Sequence, residues 1–238
     1  DQEIQKKEAA KFNGKIDCSE KEISDLTGIE EFISIKVISC NSNNLTNLDL
    51  SQNTALIRLY CTNNNISSLD FSQNVNLEEL VIGYNNLINL NISQNTALTR
   101  LFCQYNNLTT INLSQNTNLT QLYVTNNNLT SIDVSQNSIL AQFHCSSNSL
   151  DHIDLSQNLI LSQLVCSDNL LTGLNLKNLN TSTLSTFYAT LNPNLTCIEV
   201  DDVVSATNIW VNIDSATSFS LNCENSATSD EIVFNNLN

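Results

Sequence analysis

Leu45–Asn65 reads LTNLDLSQNTALIRLYCTNNN, and Leu87–Asn107 reads LINLNISQNTALTRLFCQYNN. Both are copies of one unit that recurs every 21 residues, beginning at Leu45, Ile66, Leu87, Leu108, Leu129 and Leu150. A degenerate copy follows at Leu171, and Ile16 and Ile23 open an irregular version on the N-terminal side. A fixed period of this length is the signature of a solenoid, with roughly eight or nine coils here. One coil alone exposes a row of apolar side chains and is stable only when neighbours cover it, so the copies form one cooperative stack. Function is therefore expected on the surface of that stack.

Inside each copy, apolar residues alternate at period two over three to five residues and are bounded by Asn- and Ser-rich stretches, as short strands and turns require. No helix of useful length fits between them. The pattern L-x-x-L-x-C-x-x-N-x-L, as in Leu98, Leu101, Cys103, Asn106 and Leu108, resembles the conserved segment of leucine-rich repeats. It continues through Ile111, Leu113, Ser114, Gln115 and Asn116 as a second, nested alternation, which is similar to the short 21-residue bacterial class of that family. The resemblance implies a β-rich solenoid: a right-handed superhelix with short parallel strands on both faces, little helix, and a cap at each end.

Asparagine is abundant but periodic. Asn43, Asn64, Asn85, Asn106, Asn127, Asn148 and Asn169 recur at one register, where an inward amide can bond the backbone of its own turn and of the next coil. Asn53, Asn74, Asn95, Asn116, Asn137 and Asn158 are expected to do the same at the other corner. Of 8 cysteines, Cys18, Cys40, Cys61, Cys103, Cys145 and Cys166 share one repeat position, which Ile82 and Val124 fill in the other full copies. A position that accepts Ile or Val wants a small buried hydrophobe, so these thiols read as core and not as metal ligands.

Cys197 and Cys223 lie beyond the repeats, with the single tryptophan, Trp210, between them. By analogy with capped extracellular repeat proteins, a Cys197–Cys223 disulfide is expected to fasten a terminal cap over the last coil. NPNLTCIEVDD, from Asn192 to Asp202, followed by a Trp and a second Cys, resembles the closing segment of secreted or surface repeat proteins of marine Bacteroidetes such as flavobacteria. The expected organisation is a cap and irregular first coil over 1–22, the array over 23–195, a disulfide-closed cap over 196–223 and a polar tail or linker over 224–238. DQEIQKKEAAKF reads as a short amphipathic cap in a mature or trimmed chain whose export signal lay upstream, giving an extracellular, secreted or cell-surface location. With 24 acidic and 9 basic residues the net charge is -15, which disfavours nucleic acid and anionic membranes as partners. No apolar run approaches the length of a membrane span.

Catalytic signals are nearly absent. His144 and His152 fall on different strands of the coil, and no nucleophile elbow or phosphate loop accompanies them. The column Asp49, Asp70, Asn91, Asn112, Asp133, Asp154 and Asn175 supplies at most one carboxylate per coil, so no metal and no cofactor is expected. In the L-x-C strand the Leu and Cys point inward, and the residue between them points outward. That column reads Ser39, Tyr60, Val81, Phe102, Tyr123, His144, Val165 and Tyr188, and the column before it includes Arg58, Glu79, Arg100 and Gln121. The expected function is non-enzymatic recognition of a protein or glycan through Tyr60, Phe102, Tyr123, His144, Tyr188, Arg58, Arg100 and Gln121. The alternative is a structural or adhesive module that self-associates through a solenoid edge or face, in which the same aromatics and charges only tie neighbouring strands.

Overall fold

The structure, a computed structural model, describes residues 6–223. The polar tail expected from 224 and the first residues of the expected N-terminal cap lie outside them. A short helix α1 (Lys6–Ala9) is followed by seven three-residue strands: β1 (Lys15–Asp17), β2 (Val37–Ser39), β3 (Arg58–Tyr60), β4 (Glu79–Val81), β5 (Arg100–Phe102), β6 (Gln121–Tyr123) and β7 (Gln142–His144). Then come β8 (His152–Asp154), β9 (Gln163–Val165), β10 (Gly173–Asn175), β11 (Thr186–Tyr188) and β12 (Cys197–Glu199), and after them α2 (Val203–Ile209) and β13 (Ser218–Ser220). One nine-stranded parallel sheet runs β1-β2-β3-β4-β5-β6-β7-β9-β11. A second, four-stranded sheet runs β13-β12-β10-β8. The fold is a parallel β-solenoid of the leucine-rich-repeat type with little helix.

Each strand is short because its middle residue alone points inward: Leu59, Leu80, Leu101, Leu122, Phe143 and Leu164 are all fully buried. The register pairs equivalent residues, Arg58 with Glu79, Glu79 with Arg100 and Arg100 with Gln121. Identical repeat positions therefore stack into columns. The cysteine column behaves as its Ile and Val members do, with Cys40, Cys61, Cys103, Cys145 and Cys166 at the same zero exposure as Ile82 and Val124. Burial pushes the Cys103 and Cys166 thiols up to about 12. Cys18, in the first coil, is only partly covered.

The asparagines carry the corners. Asn106 donates through Nδ2 to the carbonyls of Cys103 and Gln104 in its own turn and of Ile82 one coil back, while its Oδ1 accepts from the Leu87 amide at 2.9 Å. The same set recurs at Asn64, Asn85, Asn127, Asn148 and Asn169. At the second corner, Asn95 donates to Phe71 and Asn74, and Asn116 donates to Ile92 and Asn95. The Oδ1 atoms of this second column have no protein partner, so it holds through its N–H donors.

On the second face, among the described residues, hydrogen-bonded strands occur from His152 onward, and in earlier coils the equivalent stretch, such as 47–50, forms no ladder. The first ladder pairs Gly173 with His152, and a Cβ at 173 would lie 2.4 Å from His152 Nδ1, so a side chain there would displace the imidazole. Beyond the repeats, Cys197 and Cys223 are joined, α2 is capped by Asp202 accepting from the Ser205 amide, and Trp210 is buried with its indole N–H donating to Leu184 at 3.1 Å. Trp210 packs on Phe187 and Phe219, with ring centroids 5.3 and 6.1 Å apart.

Two substitutions separate these roles. Asn106→Leu, which fills the same space but strands the backbone groups it served, is expected to cost about 3 kcal/mol or more in urea denaturation. Cys103→Val should cost under about 1.5 kcal/mol, as a volume-conserving swap. Equal losses from the two would contradict the assignment of the corner to hydrogen bonding and of the thiol to packing.

Candidate interaction face

The outward columns of the nine-stranded sheet carry the residues singled out from the sequence. Because strands stack one repeat apart in register, side chains of one column meet at strand spacing. Phe102 and Tyr123 stack with ring centroids 4.4 Å apart and planes 17° apart, and Tyr123 and His144 stack at 4.2 Å and 1°. The three rings form one pile along the solenoid axis. Tyr60 is separated from it by Val81, and Tyr188 by Val165, so the column divides into a three-ring stack and two isolated tyrosines. Tyr60, Phe102, Tyr123 and His144 are half-buried, and Tyr188 is exposed.

Hydrogen bonds fix the rings from the neighbouring column. The Tyr60 hydroxyl donates to Glu79 Oε2 at 3.0 Å, and the Tyr123 hydroxyl donates to Gln142 Oε1 at 2.7 Å. Burial, and then the Glu79 carboxylate, raises the Tyr60 phenol above its ordinary range, and burial raises that of Tyr123. Burial lowers the His144 imidazole pKa, against an opposing hydrogen bond with Gln163.

Arg58 and Arg100 both face Glu79, with Nε and Nη1 each 3.7 Å from one of its carboxylate oxygens. Glu79 keeps only 14% of its side chain exposed, while the two arginines remain about half exposed at 50% and 49%. The trio thus ties three strands together and still presents two guanidinium groups to solvent. Gln121 follows Arg100 in the same column and is half-buried.

One aromatic pair escaped the sequence reading. Tyr84 and Tyr105 stack at 4.2 Å and 13°, and are 47% and 43% exposed. They occupy the turn position just before the corner asparagine, where Ser42, Asn63, Asn126, Ser147, Asp168 and Leu191 stand in other coils, all with φ between 53° and 59°. Two tyrosines one repeat apart were a readable signal, but the position lies past the strand, where alternation no longer says which way a side chain points.

The acidic column is local in its bonding. Asp49, Asp70, Asp133 and Asp154 each accept from the backbone amide two residues on, at Ser51, Ser72, Ser135 and Ser156. Those amides hold the Asp49, Asp70 and Asp133 carboxyls below the usual range. Among the described residues, no group of three or more His, Cys, Asp or Glu is placed to hold a metal ion. His144 and His152 lie in different sheets. The face offers ring edges, amides, hydroxyls and guanidinium groups, a set suited to binding.

No family model matches the chain. A stretch of 39 residues is 49% identical to internalin J of Listeria monocytogenes (serotype 4b, strain F2365), covering 16% of this chain and 4% of that protein. Among solved structures, the functional domain of InlJ from Listeria monocytogenes, described as including a cysteine ladder, is similar at a TM-score of 0.65 and 30% identity. That match covers 91% of this chain and 54% of the other, so the chain spans about half the length of that domain. An internalin, InlF, of the same species matches at 0.63 with 17% identity over 92% of this chain and 71% of its own. A leucine-rich-repeat protein of Leptospira interrogans matches at 0.62 with 21% identity over 84% and 65%. The last two likenesses concern the fold alone. The chain therefore shares its fold with bacterial leucine-rich-repeat proteins.

The half-buried imidazole links the stack to pH. Its pKa lies below 6.5 in the folded chain, so folding favours neutral His144. That contribution is complete above the unfolded value and is lost as pH falls through the lower folded one. Urea midpoints of the native chain should therefore drop more steeply below about pH 6.5 than those of His144→Phe, which keeps an uncharged ring in the stack. Parallel profiles would mean that His144 is not buried enough to matter.

Proposed function

We propose that this chain is a non-enzymatic extracellular recognition module that binds a partner protein along the nine-stranded face, with 196–223 as its C-terminal cap. The observation that carries this reading is the Phe102–Tyr123–His144 stack, flanked by the exposed guanidinium groups of Arg58 and Arg100. Stacking favours a protein over a glycan. Sugar rings bind across the faces of aromatic side chains, and here the inner faces are taken up by neighbouring rings at 4.2–4.4 Å, leaving edges toward solvent. Edges and phenol hydroxyls suit the mixed apolar and polar surface of a polypeptide. The two arginines share one glutamate, so an acidic group on the partner finds an incompletely compensated positive site.

The similarity to the InlJ domain, together with the disulfide, supports a surface or secreted setting. Among the described residues no helix is long and apolar enough to cross a membrane. The closing segment around Cys197 extends the same reading toward the short 21-residue class and its Bacteroidetes members.

A second reading, self-association, is favoured by the cap. Val204, Val211 and Leu221 there are 72%, 67% and 61% exposed. A size that rises with concentration in the absence of any partner would support it.

The proposal is tested by probing arrays of extracellular proteins and of glycans with the folded chain, then repeating the assay with Tyr60, Phe102 and Tyr123 all changed to Ala. Aromatic anchors concentrate binding energy, so the triple variant should lose about 2 kcal/mol or more of affinity for a protein ligand while its strands remain folded. Unchanged binding by the variant would move recognition to another face, and hits confined to glycans would overturn the choice of partner.

A further inference from the structure

Tyr84 and Tyr105 lie outside the face proposed above. Their rings are 4.2 Å apart and within 13° of parallel, close to half exposed, and on turns of adjacent coils. Both hold a left-handed backbone, with φ of 53° and 55°, which bulky side chains rarely adopt. Small polar residues serve at this position in most other coils. Before Tyr84 in the chain stands Gly83, where a Cβ would come within 2.9 Å of the Gln104 carbonyl and 3.0 Å of its side chain, so Gln104, the residue before Tyr105, packs closely over the glycine.

The remaining tyrosines are placed differently. Tyr60 donates its hydroxyl to Glu79, and Tyr123 is sandwiched between Phe102 and His144 with its hydroxyl on Gln142. Tyr188 is separated from Tyr123 by His144 and Val165 in their column. Among the described residues, Tyr84 and Tyr105 are the two tyrosines whose rings touch each other.

We propose that Tyr84 and Tyr105 form an oxidative cross-linking site, which a peroxide acting through a peroxidase converts to a single dityrosine joining the coils of β4 and β5. Each phenol gives up one electron and one proton. The two phenoxyl radicals then join through ring carbons ortho to their oxygens, forming one carbon–carbon bond. The hydrogens displaced from those carbons move to the oxygens and restore both phenols. Two hydrogen atoms leave the protein in all, and one peroxide is reduced to two waters. Parallel stacking brings the ortho carbons of one ring near those of the other, and the exposed outer edges give the rings room to turn as the bond forms. The product closes a 21-residue loop of chain between equivalent positions, a constraint on the unfolded state of the kind a disulfide supplies.

The test treats the full chain, dilute enough to disfavour contact between molecules, with hydrogen peroxide and a haem peroxidase. Expected are dityrosine fluorescence in the monomer fraction, a mass lower by two hydrogens, a cross-linked peptide pair containing Tyr84 and Tyr105, and a higher melting temperature. Tyr84→Phe and Tyr105→Phe, which preserve stacking and whose fold is checked by circular dichroism, should each abolish the monomer fluorescence. Tyr188→Phe should leave it intact. Fluorescence confined to covalent dimers, or surviving in Tyr84→Phe, would overturn the proposal.

Discussion

The inward asparagine amide at each corner is the interaction on which the rest of this molecule depends. A solenoid coil must turn sharply several times within 21 residues, and at each turn the backbone leaves donors and acceptors that no neighbouring strand can reach. Asn64, Asn85 and Asn106 meet both needs at once, donating to carbonyls of two coils and accepting from the amide of the residue that opens their own repeat, 19 positions earlier. The amide therefore measures the chain: it fixes the distance between coils and the repeat position that faces each neighbour. Shifting the corner by one residue would turn every inward leucine toward solvent.

Once register is set, the outer surface follows as a set of columns. The columns that face inward are restricted by packing, as the interchange of Cys with Ile82 and Val124 shows. The outward ones are free to vary, and a ring placed in adjacent coils meets its equivalent at stacking distance without any further device. The Phe102–Tyr123–His144 pile and the Tyr84–Tyr105 pair are both products of this geometry. So is the Arg58, Glu79 and Arg100 ladder, in which alternate charges fall opposite one another. Under the proposed function, cohesion between coils and presentation to a partner are served by the same side chains.

The coil, its parallel strands and the buried asparagines and thiols were legible because each is written many times over in the same register. What the sequence left open is what depends on contacts between columns. The column reads as aromatic residues broken by Val81 and Val165, but nothing in it says that Phe102, Tyr123 and His144 stand face to face. The paired tyrosines went unread because residues in a left-handed turn obey no two-residue alternation. The second sheet also departs from uniform repetition, since among the described residues its ladder starts at His152, whose imidazole occupies the space that a side chain at Gly173 would take. Such close contacts are decided by one missing Cβ and leave no periodic trace.

The Cys197–Cys223 bond also determines how the molecule would carry a pull. It bridges a separation of 26 residues that includes α2, Trp210 and β13. Tension entering beyond Cys223 would pass through the sulfur atoms directly to Cys197, at the start of β12, and leave the intervening segment slack. The proposed cap is thus kept out of the line of force, and Trp210 stays seated on Phe187 while the load runs into the array itself.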